Sequence, residues 1–301
     1  IPVCRMALQT GTRLPARLAY HGPAFRFQTS DPDRPNQFFQ TGVECLGLAN
    51  RDTADKEVLA LAIKAVRAAG LSDFSVKIGD LGLFAGLVDA LDIPPQWRAR
   101  LKRHFWRPGY FKALLARLSS EVTKNSDANA ALEGLIAQID AQDAVLGGRT
   151  REEIIERLTE QSAEAAAVRL NKRDVALIER VLGISGEASS ALANLRNVLR
   201  EVRVKLDAPL DTMERRLAAL GKLGLGRSRV TFAANFGRNM EYYTGFVFEL
   251  WSRDKEGDVQ IAGGGRYDTL LRSLGSKIAH PAVGCAIRGE RVLAARRKRR
   301  A

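Results

Sequence analysis

The sequence predicts an α+β fold in which antiparallel strands and helices occupy separate stretches of the chain. Three observations support this prediction. Residues 18–46 contain two strand-like stretches joined by a polar, proline-containing loop, which is typical of an antiparallel hairpin. Residues 83–225 show helical periodicity without strand signals, and strand-like stretches return after residue 229. Because strands and helices do not alternate regularly, a parallel doubly wound sheet is not expected.

The first part of the chain predicts three strands and one helix. Asp52 or Thr53 is the expected N-cap of this helix, and Gly70 is expected to end it. Its expected apolar stripe consists of Val58, Leu61, Ala62, Ala65 and Val66. The predicted elements are strands at residues 18–27, 37–46 and 74–78 and a helix at residues 54–69.

The later part of the chain predicts a helical insertion followed by the second half of the sheet. Residues 93–186 are expected to form the insertion between two parts of one core, residues 1–92 and 187–301. The core is expected to lack its natural start, because the opening residues resemble the middle of an element. The glycines at 263–265 predict a tight turn. The other predicted elements are strands at residues 230–233, 244–251, 259–262 and 282–287 and helices at residues 267–274 and 290–298.

The composition argues against several classes of function. No apolar stretch approaches the ~18–20 residues that span a bilayer. Cys4, Cys45 and Cys285 are scattered, which indicates a reducing compartment and argues against a disulfide framework or a metal site. No nucleophile–base motif of a hydrolase is present. The net charge of +13 leaves two interpretations of the basic residues 296–300 open, a solvated tail or an RNA-binding extension.

Two polar residues on a predicted strand are candidates for ligand binding. Gln40 and Glu44 share one face of the second strand, because side chains alternate along a strand. A carboxylate that points inward needs a partner. One possibility is a structural ion pair with Arg238 or Arg266, and the other is a cationic ligand group such as an α-amino group or an imidazole.

An arginine and two tyrosines near strand ends are further candidates. Arg26 fits either a surface salt bridge or a cation that grips a carboxylate or phosphate. Tyr242 and Tyr243 precede a predicted strand and combine an apolar ring with a hydroxyl group. Because successive side chains beside a strand face opposite sides, Tyr243 alone is expected to line a pocket.

A set of motifs, in this order, resembles the catalytic core of histidyl-tRNA synthetase. The motifs are GPAFR (22–26) with QFFQTGVE (37–44), RNMEYYTG (238–245), AGGGRYD (262–268) and GCAIRGER (284–291). The resemblance implies a class II synthetase-like antiparallel sheet flanked by helices. It also implies a histidine pocket formed by Gln40, Glu44, Arg238, Tyr243 and Tyr267. Arg26 and Arg291 match arginines that hold ATP in the synthetase.

The departures from the synthetase pattern concern the nucleotide site. Arg288 stands where the pattern has a glycine beneath the nucleotide, and Gln28 stands where a Glu reads adenine. We also expect no anticodon-binding domain after the third class II motif. The resemblance therefore implies a preserved histidine pocket beside a vestigial nucleotide site, which comprises Arg26, Gln28, Arg288 and Arg291.

This pattern is similar to the histidyl-tRNA synthetase-like regulatory subunits of ATP phosphoribosyltransferase, the first enzyme of histidine biosynthesis. The resemblance implies a cytoplasmic, non-catalytic subunit without a cofactor. Its partner would be the short-form catalytic subunit, which it activates, and L-histidine would be the inhibitory effector. A homodimer within a larger hetero-oligomer is expected, without membrane or tRNA binding. The alternatives are an active histidyl-tRNA synthetase or a fragment of its catalytic core, which the charge of +13 favours, and an RNA-binding synthetase paralogue.

Overall fold

The computed structural model describes residues 1–26, 36–105, 108–119, 170–237, 240, 242–254 and 257–297. The chain divides into two compact units, one formed by Ile1–Phe111 and Leu177–Ala301 and the other by Lys112–Ala176. The second unit is described at residues 112–119 and 170–176, where the Leu170 amide donates to the Leu118 carbonyl at 3.1 Å. The candidate site lies in the first unit.

The described part of the chain forms eight strands and ten α-helices. The strands are β1 (Ala16–Phe25), β2 (Gln37–Leu46), β3 (Ser75–Asp80), β4 (Ser185–Glu187), β5 (Val230–Ala233), β6 (Phe246–Asp254), β7 (Gly257–Arg266) and β8 (Ala282–Arg288). The helices are α1 (Pro2–Gln9), α2 (Arg51–Ala68), α3 (Leu81–Ala90), α4 (Pro95–His104), α5 (Pro108–Ser119), α6 (Lys172–Leu182), α7 (Ala188–Glu201), α8 (Asp207–Lys222), α9 (Leu270–Ser273) and α10 (Gly289–Arg297).

All eight strands belong to one sheet with the order β1-β2-β8-β7-β6-β3-β5-β4. Neighbouring strands are antiparallel except β3 and β5, which are parallel. The sheet is therefore mixed. Flanked by helices, it confirms the predicted α+β class, and the parallel pair is a feature that the strand patterns did not predict.

The ends of the elements show where local sequence was sufficient. The bounds of β2 and β5 match the predicted strands, and the short strand β4 lies where no strand was predicted. The helix α2 begins earlier than predicted, at Arg51, and the Asn50 side chain caps it by accepting from the Thr53 amide at 3.0 Å. The predicted caps Asp52 and Thr53 were therefore wrong, because both residues already lie in the first turn.

The helix α2 packs on β6, β7 and β8 and covers one face of the central sheet. Five of its apolar residues are no more than 1% exposed, namely Val58, Leu59, Ala62, Ile63 and Val66. Leu61, which the predicted stripe included, is 42% exposed. The face of α2 that packs on the sheet is wide enough that residues adjacent in sequence, such as Ala62 and Ile63, are both buried. The centre of this face is rotated away from the predicted stripe, so Leu61 faces solvent.

Candidate ligand-binding site

Glycines in the middle of the sheet leave space above the face that points away from α2. Glu44 of β2 pairs with Gly284 of β8, which pairs with Gly265 of β7. A Cβ atom on Gly284 would fall within the Glu44 carboxylate, and one on Gly265 would lie 2.8 Å from Cε1 of Tyr243. The glycines are therefore needed because the Glu44 and Tyr243 side chains lie directly over them.

This arrangement corrects the turn predicted at residues 263–265. The strand β7 continues through all three glycines to Arg266 and pairs with strands on both sides. The strand alternation places Arg266 on the face opposite Glu44. There its guanidinium binds Asp55 of α2 through two bonds of 2.9 and 2.6 Å. Of the two arginines proposed as structural partners of Glu44, Arg266 is therefore excluded, and Arg238 lies outside the described residues.

The Glu44 carboxylate is held by a tyrosine hydroxyl. The hydroxyl of Tyr267, a residue 4% exposed, donates to Oε2 of Glu44. Burial raises the pKa of Glu44 to about 7, and the bond from Tyr267 opposes this rise. Among the described residues, no arginine or lysine forms an ion pair with Glu44. A cation placed beside this carboxylate would stabilise its charged form.

Three tyrosines line the side of this carboxylate that faces away from β2. The rings of Tyr242 and Tyr243 lie 4.5 Å apart, and the rings of Tyr242 and Tyr267 lie 6.0 Å apart, edge to face. The hydroxyl of Tyr242 lies 3.4 Å from that of Tyr243. The expectation that Tyr242 and Tyr243 face opposite sides was wrong, because these residues precede β6 and do not alternate as in a strand. Both hydroxyls therefore lie on the same side of the site.

Gln40 is held by Tyr20, a fourth tyrosine of the site, which the sequence analysis did not identify. Nε2 of Gln40 donates to the hydroxyl of Tyr20 at 2.7 Å, and the Tyr20 ring lies over Gly42. Tyr20 pairs with Gly42 across β1 and β2, so it lies on the same face as Gln40 and Glu44. The half-buried positions of β1 alternate through Tyr20. The register of the predicted hairpin was the signal that would have identified it.

Cys4 of α1 also reaches this site and was not predicted to do so. Its side chain is 1% exposed, and burial together with the charge of Glu44 raises the pKa of its thiol. It forms a side-chain hydrogen bond with Tyr267. Cys4, Tyr243 and Tyr267 belong to the same buried cluster. The site is therefore enclosed by α1 as well as by the sheet.

Of the predicted vestigial nucleotide residues, Arg288 lies on the same face of the sheet as Gln40. Arg288 of β8 pairs with Gln40 across the strands, and its guanidinium lies 4.4 Å from the centre of the Phe38 ring. Nη1 of Arg291 donates to the carbonyl of Gln260 at 2.9 Å. Arg26 is exposed at the end of β1. Gln28, like Arg238, lies outside the described residues, so the structure does not bring the full predicted sets together.

Other kinds of site have no basis in the part of the chain that the structure describes. No cluster of His, Cys, Asp or Glu side chains there has the spacing to hold a metal ion. No described helix has the length and hydrophobicity needed to cross a membrane. A small cleft between α3, α6 and α7 is lined by apolar side chains, and it offers no polar group that would orient a ligand. Leu83, Phe84, Leu87, Val181, Leu195 and Leu199 are among its lining residues.

Comparison with known sequences places the chain among synthetase-like proteins. Residues 2–177 and 131–292 match a family model described as histidyl-tRNA synthetase. An ATP phosphoribosyltransferase regulatory subunit from Brucella anthropi is 32% identical over 302 residues, which cover 95% of this chain and 79% of that protein. The subunit of the same name from Brucella canis is 33% identical over 301 residues, with the same shares of the two chains.

Solved structures share the fold. The crystal structure of an ATP phosphoribosyltransferase regulatory subunit/histidyl-tRNA synthetase from Bacillus halodurans C superposes with a TM-score of 0.62 at 24% identity, covering 98% of this chain and 62% of that one. Histidyl-tRNA synthetase from Nostoc sp. PCC 7120 gives a TM-score of 0.59 at 16% identity, covering 97% and 57%. The chain thus spans less than two thirds of the length of these two solved chains.

Proposed function

We propose that this chain, which belongs to the histidyl-tRNA synthetase-like family of ATP phosphoribosyltransferase regulatory subunits, acts as a regulatory subunit of that enzyme in histidine biosynthesis. The relatives from Brucella anthropi and Brucella canis carry this name and align over 95% of the chain. The implied partner is the catalytic subunit of ATP phosphoribosyltransferase, in its short form. Activation of this partner is the role that we assign to the chain.

We assign the site around Glu44 to L-histidine, as the inhibitory effector. The observation that carries this proposal is the half-buried carboxylate of Glu44, which Tyr267 holds and no described arginine or lysine neutralises. The α-ammonium group of histidine is the cation that Glu44 would bind. Gln40 and the tyrosines would orient the ligand, Tyr243 among them. Arg238 would bind the ligand carboxylate.

The nucleotide half of the site supports a role without catalysis. Arg288 replaces the glycine on which the nucleotide lies in the synthetase pattern, and its guanidinium is stacked on Phe38. A stacked arginine occupies volume that an adenine ring would need, and its charge is held there by the ring. We therefore propose that the chain binds histidine and does not activate it with ATP.

Regulation requires that histidine bind one state of the complex more tightly than another. A difference of ~1–3 kcal/mol between the active and the inhibited complex is typical of allosteric coupling. Because Glu44 holds its proton to about pH 7, binding of an ammonium group would release that proton near neutral pH. Histidine affinity should therefore increase as the pH rises toward 7.

We also propose a cytoplasmic hetero-oligomer that contains a homodimer of this chain and binds no tRNA. None of the three cysteines forms a disulfide, and all three are buried, as expected in a reducing compartment. The contacts of the described residues do not identify a role for the net charge of +13 in this assembly.

The second candidate function is that of an active histidyl-tRNA synthetase, because the family model that matches the chain is described by that name. One experiment separates the two functions. The full-length protein is added to a short-form ATP phosphoribosyltransferase catalytic subunit, and product formation is followed with and without L-histidine. We expect stimulation that histidine suppresses. Histidine-dependent exchange between ATP and pyrophosphate without stimulation would instead establish the synthetase activity and contradict the regulatory one.

A further inference from the structure

A chain of buried charges lies behind the candidate site, on the face of the sheet that α2 covers. Asp55 of α2 is 0% exposed, and each of its arginine partners, Arg216 of α8 and Arg266 of β7, is 5% exposed. Oδ1 of Asp55 accepts two bonds from Arg266, and Oδ2 accepts one from Arg216. Arg216 continues to Asp80, whose Oδ2 accepts its Nη1 at 3.0 Å. Three elements that are distant in sequence thus meet at the Asp55 carboxylate, and Arg216 connects them to a fourth, β3.

We propose that Asp55 is a positioning residue for the candidate ligand site and acts on Tyr267 through Arg266. Arg266 immediately precedes Tyr267, and the two side chains point to opposite faces of the chain. One reaches the Asp55 cluster, and the other reaches Glu44. The inference rests on the proposed function only in naming histidine as the ligand of this site.

Contacts on both sides of Tyr267 fix its backbone. Before it, the Arg266 carbonyl accepts from the Thr244 amide at 2.8 Å. After it, Oδ1 of Asp268 accepts from the Arg266 guanidinium at 2.7 Å and from the Ala282 amide at 2.9 Å. The Tyr267 amide donates to the Ala282 carbonyl at 2.8 Å. The Arg266 guanidinium therefore joins Asp55 to the segment that carries the tyrosine, and its position sets the direction of that side chain.

A purely structural role for this cluster would have a different signature. Buried ion pairs can often be replaced by apolar side chains of similar volume without loss of stability. If Asp55 only stabilises the fold, the double replacement Asp55→Leu with Arg266→Met should leave the environment of Glu44 unchanged. If it positions Tyr267, the replacement should weaken the Tyr267–Glu44 bond even where the fold is retained, and Arg216 would still have Asp80 as its partner.

The bond from Tyr267 lowers the pKa of Glu44, so its loss raises that pKa further. The other titratable groups that act on this site are Cys4 of α1, Tyr20 of β1 and Tyr242. None of them contacts Asp55 or Arg266 in the described structure. A change in the Glu44 titration that follows replacement of Asp55 and Arg266 therefore reports on Tyr267.

The test measures the pH dependence of the free energy of unfolding of the full-length protein, with Glu44→Gln as the reference that lacks the titration. We expect the Glu44 contribution to the free energy of unfolding to level off at a higher pH in both Tyr267→Phe and Asp55→Leu/Arg266→Met. The expected increase is about 1 pH unit in each protein. Combined in one protein, the replacements should raise this pH no further than either alone. The matched control is Asp52→Leu/Arg215→Met, which removes another ion pair between α2 and α8 and should move nothing.

An unchanged Glu44 titration in a folded Asp55→Leu/Arg266→Met protein would overturn the proposal, as would additive effects with Tyr267→Phe. If that protein does not fold, Arg266→Lys, which keeps the charge but loses the bidentate bond, must show a smaller shift in the same direction. Because the measurement needs no ligand, its outcome is independent of whether histidine binds. Absence of histidine binding to the unmodified protein would contradict the proposed function and leave the positioning result intact.

Discussion

Two carboxylates on opposite faces of the sheet differ in how their charge is neutralised. Asp55 is fully buried between two guanidinium groups, so the protein itself supplies its counter-charges. Glu44 is held by one tyrosine hydroxyl, and burial raises its pKa to about 7. The charge of Asp55 is already balanced within the protein, so it does not need a ligand. A carboxylate without a described guanidinium partner, such as Glu44, is instead suited to binding a ligand cation.

The largest expected effect is on the Asp55 side. Asp55→Ala leaves the two buried guanidinium groups without their shared counter-charge, so the free energy of unfolding should fall by ~3–5 kcal/mol. Urea denaturation measures this loss. The control is Asp211→Ala, which removes an exposed partner of Arg196 and should cost at most ~1 kcal/mol. Equal losses in the free energy of unfolding for the two replacements would show that the buried ion pairs of Asp55 stabilise the fold no more than an exposed one.

On the ligand side, Gly284→Ala should abolish the response to histidine. The added methyl group would overlap the Glu44 carboxylate and force it away from Tyr267. Overpacking of this kind also costs about 1–3 kcal/mol of stability. Isothermal titration calorimetry measures the loss of binding. Gly221→Ala in α8, where a Cβ meets open space, is the matched control and should raise stability by about 0.5–1 kcal/mol. Normal histidine binding by the Gly284→Ala protein would place the ligand elsewhere.

The titration of Glu44 should appear in the stability of the protein. Its pKa is about 7 in the folded state and near 4.5 in an exposed chain, so the folded state binds the proton more tightly. The free energy of unfolding should therefore fall as the pH rises from about 4.5 to about 7 and then level off. The difference between the unmodified protein and Glu44→Gln isolates this contribution. A difference that does not vary with pH would show that Glu44 is ionised throughout.

The smallest expected effect concerns Tyr20. Tyr20→Phe removes the hydroxyl that accepts from Gln40, while the ring still covers Gly42. A bond of this kind contributes about 0.5–1.5 kcal/mol, so histidine affinity should fall a few-fold. Tyr110→Phe, at an exposed tyrosine of α5, is the control and should have no effect. A loss as large as that of Gly284→Ala would mean that Tyr20 contacts the ligand directly.

The sequence predicted several features of the Glu44 side of the sheet. The strand alternation placed Gln40 and Glu44 on one face, and β2 has the predicted bounds. The motif order led to the right family, and with it to the α+β fold. These features depend on local pattern or on several motifs read together, which is why sequence was sufficient.

The missed features depend on contacts between distant residues. The glycines 263–265 predicted a turn, because nothing local shows that Glu44 and Tyr243 need the space above a strand. Asp55 was not singled out, because its two partners lie 161 and 211 residues away. Tyr20 depends on the register between β1 and β2. Long-range packing, which fixes these positions, leaves no periodic signal.

The most direct test of the central claim compares the unmodified protein with Glu44→Gln, each in complex with the short-form catalytic subunit. Product formation is measured over a range of L-histidine concentrations. Both proteins should stimulate the partner equally, because Glu44 lies within the candidate site. Inhibition by histidine should require at least about tenfold more ligand with Glu44→Gln, since a charge-assisted bond of ~1.5–3 kcal/mol is lost. Unchanged inhibition would contradict the assignment of this carboxylate to histidine.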